Sequence, residues 1–426
     1  MKKAFLKVCL AVPFFAGLTS CTGDDNPVNG TRVAYMLPET QSLELTAEQK
    51  NMVQKNNDFA FNLFRTIDEK MVTKKSNGLS PASVAYLMGM LNAGADGLSS
   101  KEMTSVLGFG ESDVKTVNEF CKTMIEGLPK VDTSVKLGIY NYIAANSSMG
   151  ITLKSQFEKD VKDYYHADYA SLDFTKPDAL KTINDWCSKK TDGKIDKILD
   201  QLDGTSLLVL LNAVNFKAGW VDKFDEKDTK TEDFTLVDNT KKELPMMHNT
   251  AHILYNSNDT YSSLLLPYGG KDPKWHMMVL LPKDDKTVED VLTSLTAAKW
   301  KENREGMMAR KVDIKIPRFT TDSENDLIPP ITTLGAPSIF DPDKADFTKM
   351  SNYPNLYVAK MLQKSSVEVN EKGTELVATT VADMNATSAG PDSFEPINFH
   401  CDRPFVYVIY EASSGTVFFI GTYRGE

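Results

Sequence analysis

One stretch constrains this chain more than any other: residues 367–384 read as two β-strand segments set end to end with a single break between them. Val367 and Val369 alternate with Glu368 and Asn370, the pattern stops at Lys372-Gly373, and it resumes with Thr374, Leu376, Ala378, Thr380, Ala382 and Met384 on one face. Glu375, Val377, Thr379, Val381, Asp383 and Asn385 form the other face. Ser388-Ala389-Gly390-Pro391-Asp392-Ser393 then follows, which is loop chemistry. Two readings stay open on these residues alone: an ordinary exposed hairpin, or a loop able to join a sheet later.

The first residues have a separate purpose. Lys2, Lys3 and Lys7 give a charged start, Val8 to Gly17 an apolar stretch too short to span a bilayer, and Leu18-Thr19-Ser20-Cys21 a lipoprotein-type cleavage site. The alternative is a plain secretory peptide with an incidental cysteine. The expected organisation is a signal peptide over 1–20, a tether over 21–46 lipidated on Cys21, and a single domain over 47–426. Several acyl chains on Cys21 would hold the protein to a membrane, so a bacterial outer membrane lipoprotein is expected, either surface-exposed or periplasm-facing. Asp24-Asp25 looks like a surface-export signal of some Gram-negative lipoproteins, or a solvated linker.

With 41% hydrophobic and 25% charged residues, the part after the tether can bury a large core. It carries no repeat, low-complexity linker or charge run, so one domain is preferred over two. The net charge of -10 and the lack of a basic stripe argue against nucleic acid as a partner. Cys121, Cys187 and Cys401 are too few and too scattered for a disulfide framework.

Thr46 and Gln49 have capping-box spacing, and Met52, Ala60, Leu63, Phe64 and Ile67 follow at helical intervals. Further helices are expected at 81–93, 153–166 and 178–199. Strands are expected at 207–216, 262–266, 276–281 and 312–316, and a closing hairpin at 405–409 and 416–420 turns at Ser413-Ser414-Gly415. Helices first and strands later is the order of an α+β domain. No GxSxG elbow, Walker loop, GxGxxG or HExxH is present, so no catalytic residue, cofactor or metal is assigned. His248 and His252 have the i,i+4 spacing of a metal pair but lack a further ligand at a suggestive interval.

The ordered set of segments resembles the serpin family of protease inhibitors from Phe59 to Thr422. The match is carried by Asn77-Gly78-Leu79-Ser80-Pro81-Ala82-Ser83, Gly94-Ala95-Asp96-Gly97, Ile183-Asn184-Asp185-Trp186 and Thr191-Asp192-Gly193-Lys194-Ile195. It continues through Leu211-Asn212-Ala213, Phe216-Lys217-Ala218-Gly219-Trp220, Pro245-Met246-Met247, Leu266-Pro267-Tyr268 and Leu281-Pro282. Ile316-Pro317-Arg318-Phe319, Ala345-Asp346-Phe347, Glu371-Lys372-Gly373-Thr374-Glu375 and Arg403-Pro404-Phe405 complete it.

The resemblance implies a serpin fold: a large, mostly antiparallel central sheet with further sheets, a helical cluster and an exposed reactive-centre loop. It implies a monomer that traps a serine or cysteine protease in a covalent 1:1 complex, the cleaved loop inserting into the sheet. About fourteen inserted residues at about 3.3 Å each would carry the scissile end roughly 45 Å. New ladder bonds and buried area would release on the order of 10 to 20 kcal/mol.

By the family's spacing the reactive bond joins Thr387 and Ser388, within a window from Met384 to Gly390. The hinge is Glu371, Lys372, Gly373, Thr374, Glu375, Leu376, Val377, Ala378, Thr379 and Thr380. The shutter and breach residues are Ser80, Pro81, Ser83, Asn212, Trp220 and Gln363. Small residues about the reactive bond, and no Lys or Arg between 373 and 402, suit an elastase-like or subtilisin-like target. Two departures stand out. Leu376 and Val377 replace the alanine-rich hinge of inhibitors, and Gln363 stands where a histidine is common. A non-inhibitory binding protein or plain protease substrate of the same fold, and an unrelated envelope hydrolase, are the alternatives.

Overall fold

A computed structural model describes residues 40–72, 74–374 and 395–426. The chain runs through helix α1 (Ala47–Lys70), strand β1 (Asn77–Leu79) and helices α2 (Pro81–Ala93), α3 (Gly97–Val106) and α4 (Val114–Gly127). Strand β2 (Lys136–Asn146), helix α5 (Ser155–Tyr165), strand β3 (Asp168–Leu172), helix α6 (Pro177–Lys190) and strand β4 (Leu208–Gly219) follow. Next come β5 (Lys230–Thr235), β6 (Lys241–Ser257), β7 (Tyr261–Tyr268), β8 (Trp275–Pro282), and helices α7 (Val288–Ser294) and α8 (Ala297–Glu305). The last part holds β9 (Met308–Pro317), β10 (Phe319–Asp326), helix α9 (Ile328–Leu334), β11 (Val358–Asn370), the two-residue β12 (Gly373–Thr374), β13 (Ile397–His400), β14 (Phe405–Glu411) and β15 (Val417–Tyr423).

Two sheets organise these elements. One has the order β10-β11-β12-β4-β2-β3, and the other the order β1-β15-β14-β8-β7-β6-β9-β13 with β5 added on β6. The composition is α+β, as the resemblance implies, with helices and strands mixed along the chain. Because β2 precedes α5 and α6, the order is not helices first and strands later. The sequence hides β2 because residues 141–146 are buried without alternation, as in a strand covered on both faces.

Helix α1 begins as expected, with Thr46 Oγ1 accepting from Gln49 N at 3.1 Å and Gln49 Oε1 accepting from Thr46 N at 3.0 Å. Helix α6 stops at Lys190, nine residues before the end that the sequence suggests. The break is at Asp192 and Gly193, whose φ values of +53° and +77° are left-handed. Ile195, Ile198 and Leu199, which look helical by spacing, still bury with α6 against Val209, Leu211, Ala213 and Leu362 on the outer face of the six-stranded sheet. The main core lies on the opposite face, where all of α2 is buried.

The C-terminal strands are tied in by a buried ion pair, Arg424 Nη2 to Asp68 Oδ1 at 2.9 Å with both side chains 1% exposed. Arg424 also donates to Thr422 Oγ1 and Glu289 Oε1, so neither charge is left uncompensated.

Candidate functional site

The register of the six-stranded sheet is its most informative property. Strands β4 and β11 pair in parallel from Leu208 opposite Val358 up to Ala213 opposite Lys364. Beyond that point they part, and at their far ends β12 lies between them, Thr374 opposite both Ala218 and Val369 and Gly373 opposite both Gly219 and Asn370. Residues 214–217 of β4 and 365–368 of β11 therefore face each other with no described strand between them. Among the described residues the seam is closed at one end, unfilled in the middle and started at the other.

The start is held by a dense set of contacts. Glu371 and Lys372 make the turn from β11 into β12. Burial alone would raise the Glu371 carboxyl, yet hydrogen bonds from Arg318 and Thr229 carry it below the usual range. Arg318 Nη2 and Nε reach it at 2.5 and 3.2 Å, and Thr229 Oγ1 at 2.7 Å. Backbone groups complete the grip: Phe224 N donates to Glu371 O, Trp220 N to Lys372 O, and the Trp220 indole to Asn370 O at 2.9 Å.

Gly373 has φ +143°, and a Cβ there would lie 2.1 Å from Ala218 O, so no side chain fits. Thr374 is 1% exposed. Its Oγ1 is 2.5 Å from the Tyr268 hydroxyl, and the Tyr268 ring stacks on Trp220 at 4.3 Å.

The closed end carries the second constellation. Gln363 is fully buried on β11, with Asn212 of β4 as its Cα partner. Gln363 Oε1 accepts from Ser80 N at 2.7 Å, and Gln363 Nε2 donates to Ser80 O at 3.0 Å and Asn212 Oδ1 at 2.6 Å. Asn212 Nδ2 in turn donates to Asn141 Oδ1 of β2 at 2.7 Å. Ser80 Oγ, at the start of α2, donates to Phe418 O at 2.7 Å. One carboxamide, donor and acceptor at once, thus bolts β11 to β4 and to the α2 N-terminus.

The sequence-derived residues fall into three groups. Ser80, Asn212 and Gln363 meet at the closed end, while Pro81 opens α2, and Ser83, buried there, has no partner for its hydroxyl among the described residues. Glu371, Lys372, Gly373, Thr374 and Trp220 meet at the started end. Glu375, Leu376, Val377, Ala378, Thr379 and Thr380, the Thr387-Ser388 bond with its window, and Cys21 lie outside the described residues. Arg318, Thr229, Tyr268 and Asn141 went unassigned in the sequence. Arg318 carried the one usable signal, a lone cation between apolar Pro317 and Phe319 at a strand end.

His248 and His252 sit along strand β6 rather than a helix, which puts them about 13 Å apart, and His248 Nε2 is 2.9 Å from Glu232 Oε1. No group of three or more metal-ligating side chains occurs among the described residues.

Comparison with known proteins agrees with this geometry. The family model described as Serpin (serine protease inhibitor) matches residues 54–424. Serpin B6 of Macaca fascicularis is 32% identical over 87% of this chain and 98% of its own length. The leukocyte elastase inhibitor of Equus caballus is 30% identical over 86% of this chain and 97% of its own. Among solved structures, the thermophilic serpin tengpin in its native state superposes with a TM-score of 0.80 at 26% identity, covering 92% of this chain and 98% of that one.

Proposed function

Because the chain belongs to the serpin family, we propose that it is a covalent, conformational-trapping inhibitor of serine proteases, and of cysteine proteases with similar specificity, rather than an enzyme. The observation that carries this reading is the parted seam: a strand begun at Gly373-Thr374 between β4 and β11, with no described strand between residues 214–217 and 365–368 beyond it.

The chemistry is that of an interrupted hydrolysis. The target's nucleophile attacks the Thr387 carbonyl, the bond to Ser388 breaks, and the new Ser388 amine leaves with its proton while Thr387 stays esterified to the protease. Continuing the β12 register from Thr374, residues 375–378 would fill the open part of the seam without breaking any pair. From Thr379 on, each residue would split one existing β4/β11 pair. Thr380 would part Gln363 from Asn212, and Met384 would come opposite Leu208, the last paired residue of β4. Thr387 would then lie just past the far end of the sheet, roughly 43 Å from where the strand began. Displacement on that scale carries the tethered protease to the opposite end of the molecule, where tension on the ester would pull the acyl carbonyl out of line with the groups that activate its attacking water.

Ala386, Thr387 and Ser388 present small side chains, which fit the shallow primary pocket of elastase-like and subtilisin-like enzymes. The Cys21 site supports an outer-membrane lipoprotein, the inhibitor acting as a monomer tethered to the envelope. Labelling cells with an alkyne-bearing fatty acid checks this, since Cys21→Ala abolishes incorporation if Cys21 is the acylated residue.

The test of inhibition uses the chain without residues 1–21, mixed with neutrophil-type elastase or subtilisin and resolved on a denaturing gel. The expected result is a band at the summed mass less that of residues 388–426, and a released peptide beginning at Ser388. Cleavage with no such band and full protease activity would overturn inhibition and favour the non-inhibitory reading, for which Leu376 and Val377 are the sequence signal.

A further inference from the structure

The residues that lead into α1 are laid along the body of the domain. Thr40 forms an antiparallel bridge with Asp132, Gln41 N donates to Val131 O at 2.9 Å, and Gln41 Nε2 donates to Lys130 O at 3.4 Å. Thr40 Oγ1 donates to Asp272 Oδ2 at 3.3 Å, and Leu43 N to Ser413 Oγ at 2.9 Å. Leu43 and Leu45 are partly buried against the main core, and Leu43 lies so close to Gly127 that a Cβ on that glycine would overlap it. The segment is thus fixed at three places before the Thr46 capping box begins the helix.

Asp132 carries this contact inward. It is fully buried, and its Oδ1 accepts from Ser134 N at 2.9 Å and Ser134 Oγ at 2.5 Å. Its Oδ2 has no hydrogen-bond partner among the described residues and lies against Gly269, where a Cβ would overlap it. Gly269 has φ +96°, so glycine meets both the backbone and the space requirement of this corner.

Beyond Gly269 the contacts lead to the start of β12. Gly269 N donates to Gly219 O at 2.8 Å, Val221 N to Pro267 O at 2.9 Å, and Trp220 pairs with Tyr268 between them. Trp220 N in turn donates to Lys372 O at 3.0 Å, and Gly219 is the Cα partner of Gly373. Three contacts in series, Thr40 on Asp132, Asp132 on Gly269 and Gly269 on Gly219, therefore join the lead-in to α1 to the hinge.

We propose that residues 40–45 brace the start of β12, so that a cut in this segment, or a partner that lifts it, loosens the hinge from a distance. The segment has a seated and a lifted state, and lying at the surface it opens more readily than the sheet beneath it. Lifting removes the backbone pairing of Asp132 and with it the wall on which Gly269 packs. Close-packed contacts pass such a change on, so the bonds of Gly269 and Val221 open more often, and the bond from Trp220 to Lys372 with them. The brace acts whether or not the chain traps a protease.

The measurement is hydrogen exchange of the Gly269, Val221 and Trp220 amides in the chain without residues 1–21, compared among the wild type, Gln41→Pro and Gln41→Ala. Proline removes the N–H that bonds to Val131 O and keeps Thr40 extended, whereas alanine retains that N–H. Gln41→Pro is expected to lower protection about fivefold at Gly269, the factor for one hydrogen bond, and about threefold at Val221 and Trp220. Amides around Gln363 are expected to stay unchanged, and Gln41→Ala to match the wild type. Unchanged protection of Trp220 in Gln41→Pro would overturn the brace, even with a loss at Gly269. An equal loss around Gln363 would overturn it as general destabilisation, and an equal loss in Gln41→Ala would show that the backbone bond is not what seats the segment.

Discussion

Gln363 and Asn212 are hydrogen-bonded at 2.6 Å across the two strands that must separate if anything is to enter the sheet between them. The bond is buried, and its partners include both backbone groups of Ser80, so the sheet seam and helix α2 are fastened at one point. Parting the strands by one strand width of about 4.8 Å breaks it outright.

Gln363→Leu is expected to leave Ser80 N, Ser80 O and Asn212 Oδ1 buried without this partner, a loss of about 3 kcal/mol. A thermal midpoint lower by several degrees in calorimetry checks it. Gln363→His retains one donor and one acceptor, so the loss is smaller, and it introduces a dependence on pH between 5 and 8 that the wild-type seam lacks.

Arg318→Met leaves the Glu371 carboxylate, whose side chain is 4% exposed, with Thr229 as its remaining side-chain partner. Because Arg318 itself is half exposed, the expected loss is on the order of 1 to 2 kcal/mol, accompanied by faster exchange of the Gly373 and Thr374 amides.

The Glu371 carboxyl is depressed in the folded state, so its contribution is present above the ordinary carboxylate range near pH 4.3 and is lost as pH falls through the lower folded value. Stability of the wild type should therefore decline below about pH 4.3 more steeply than that of Glu371→Gln. Unfolding midpoints measured from pH 3 to 5 distinguish the two slopes.

Thr374→Arg would place a cation against Tyr268 and Trp220 in a site that is 1% exposed. Strand entry then stalls at its first residue. Elastase is expected to cut the loop with little complex formed, a shift from inhibitor to substrate that densitometry of the gel quantifies.

Leu376 concerns the next step inward. In the continued register it arrives between Val367 and Phe216, on the buried face of the sheet, beside an aromatic group formed by Phe216, Tyr268, Trp275 and Phe418. Overfilling there costs about 1 to 3 kcal/mol. Leu376→Ala is expected to raise the fraction of protease trapped, and an unchanged partition between trapped and released protease would show that the site accommodates leucine.

Much of this arrangement was legible in the sequence because its causes are local. The alternation of 367–370, the break at Gly373 and the capping box of α1 each follow from neighbouring residues. The amphipathic α4 was equally legible, with Val117, Phe120, Cys121 and Met124 at helical spacing, but went unread. What is not local was out of reach. Nothing near Gln363 in sequence says that its carboxamide meets Ser80, and nothing near Glu371 points to Arg318 or Thr229. The overextended α6 failed for a different reason: Ile195, Ile198 and Leu199 bury as a helical face would, while Asp192 and Gly193 turn the backbone out of the helix.

Strands β14 and β15 lie inside the nine-stranded sheet, flanked by β8 and β1, and Arg424 fastens them to α1 through Asp68. Scission at Thr387-Ser388 would therefore divide the polypeptide without dividing the particle. A sizing column would report one species and a denaturing gel two, and the severed C-terminal piece would remain a structural subunit of a molecule encoded as a single chain.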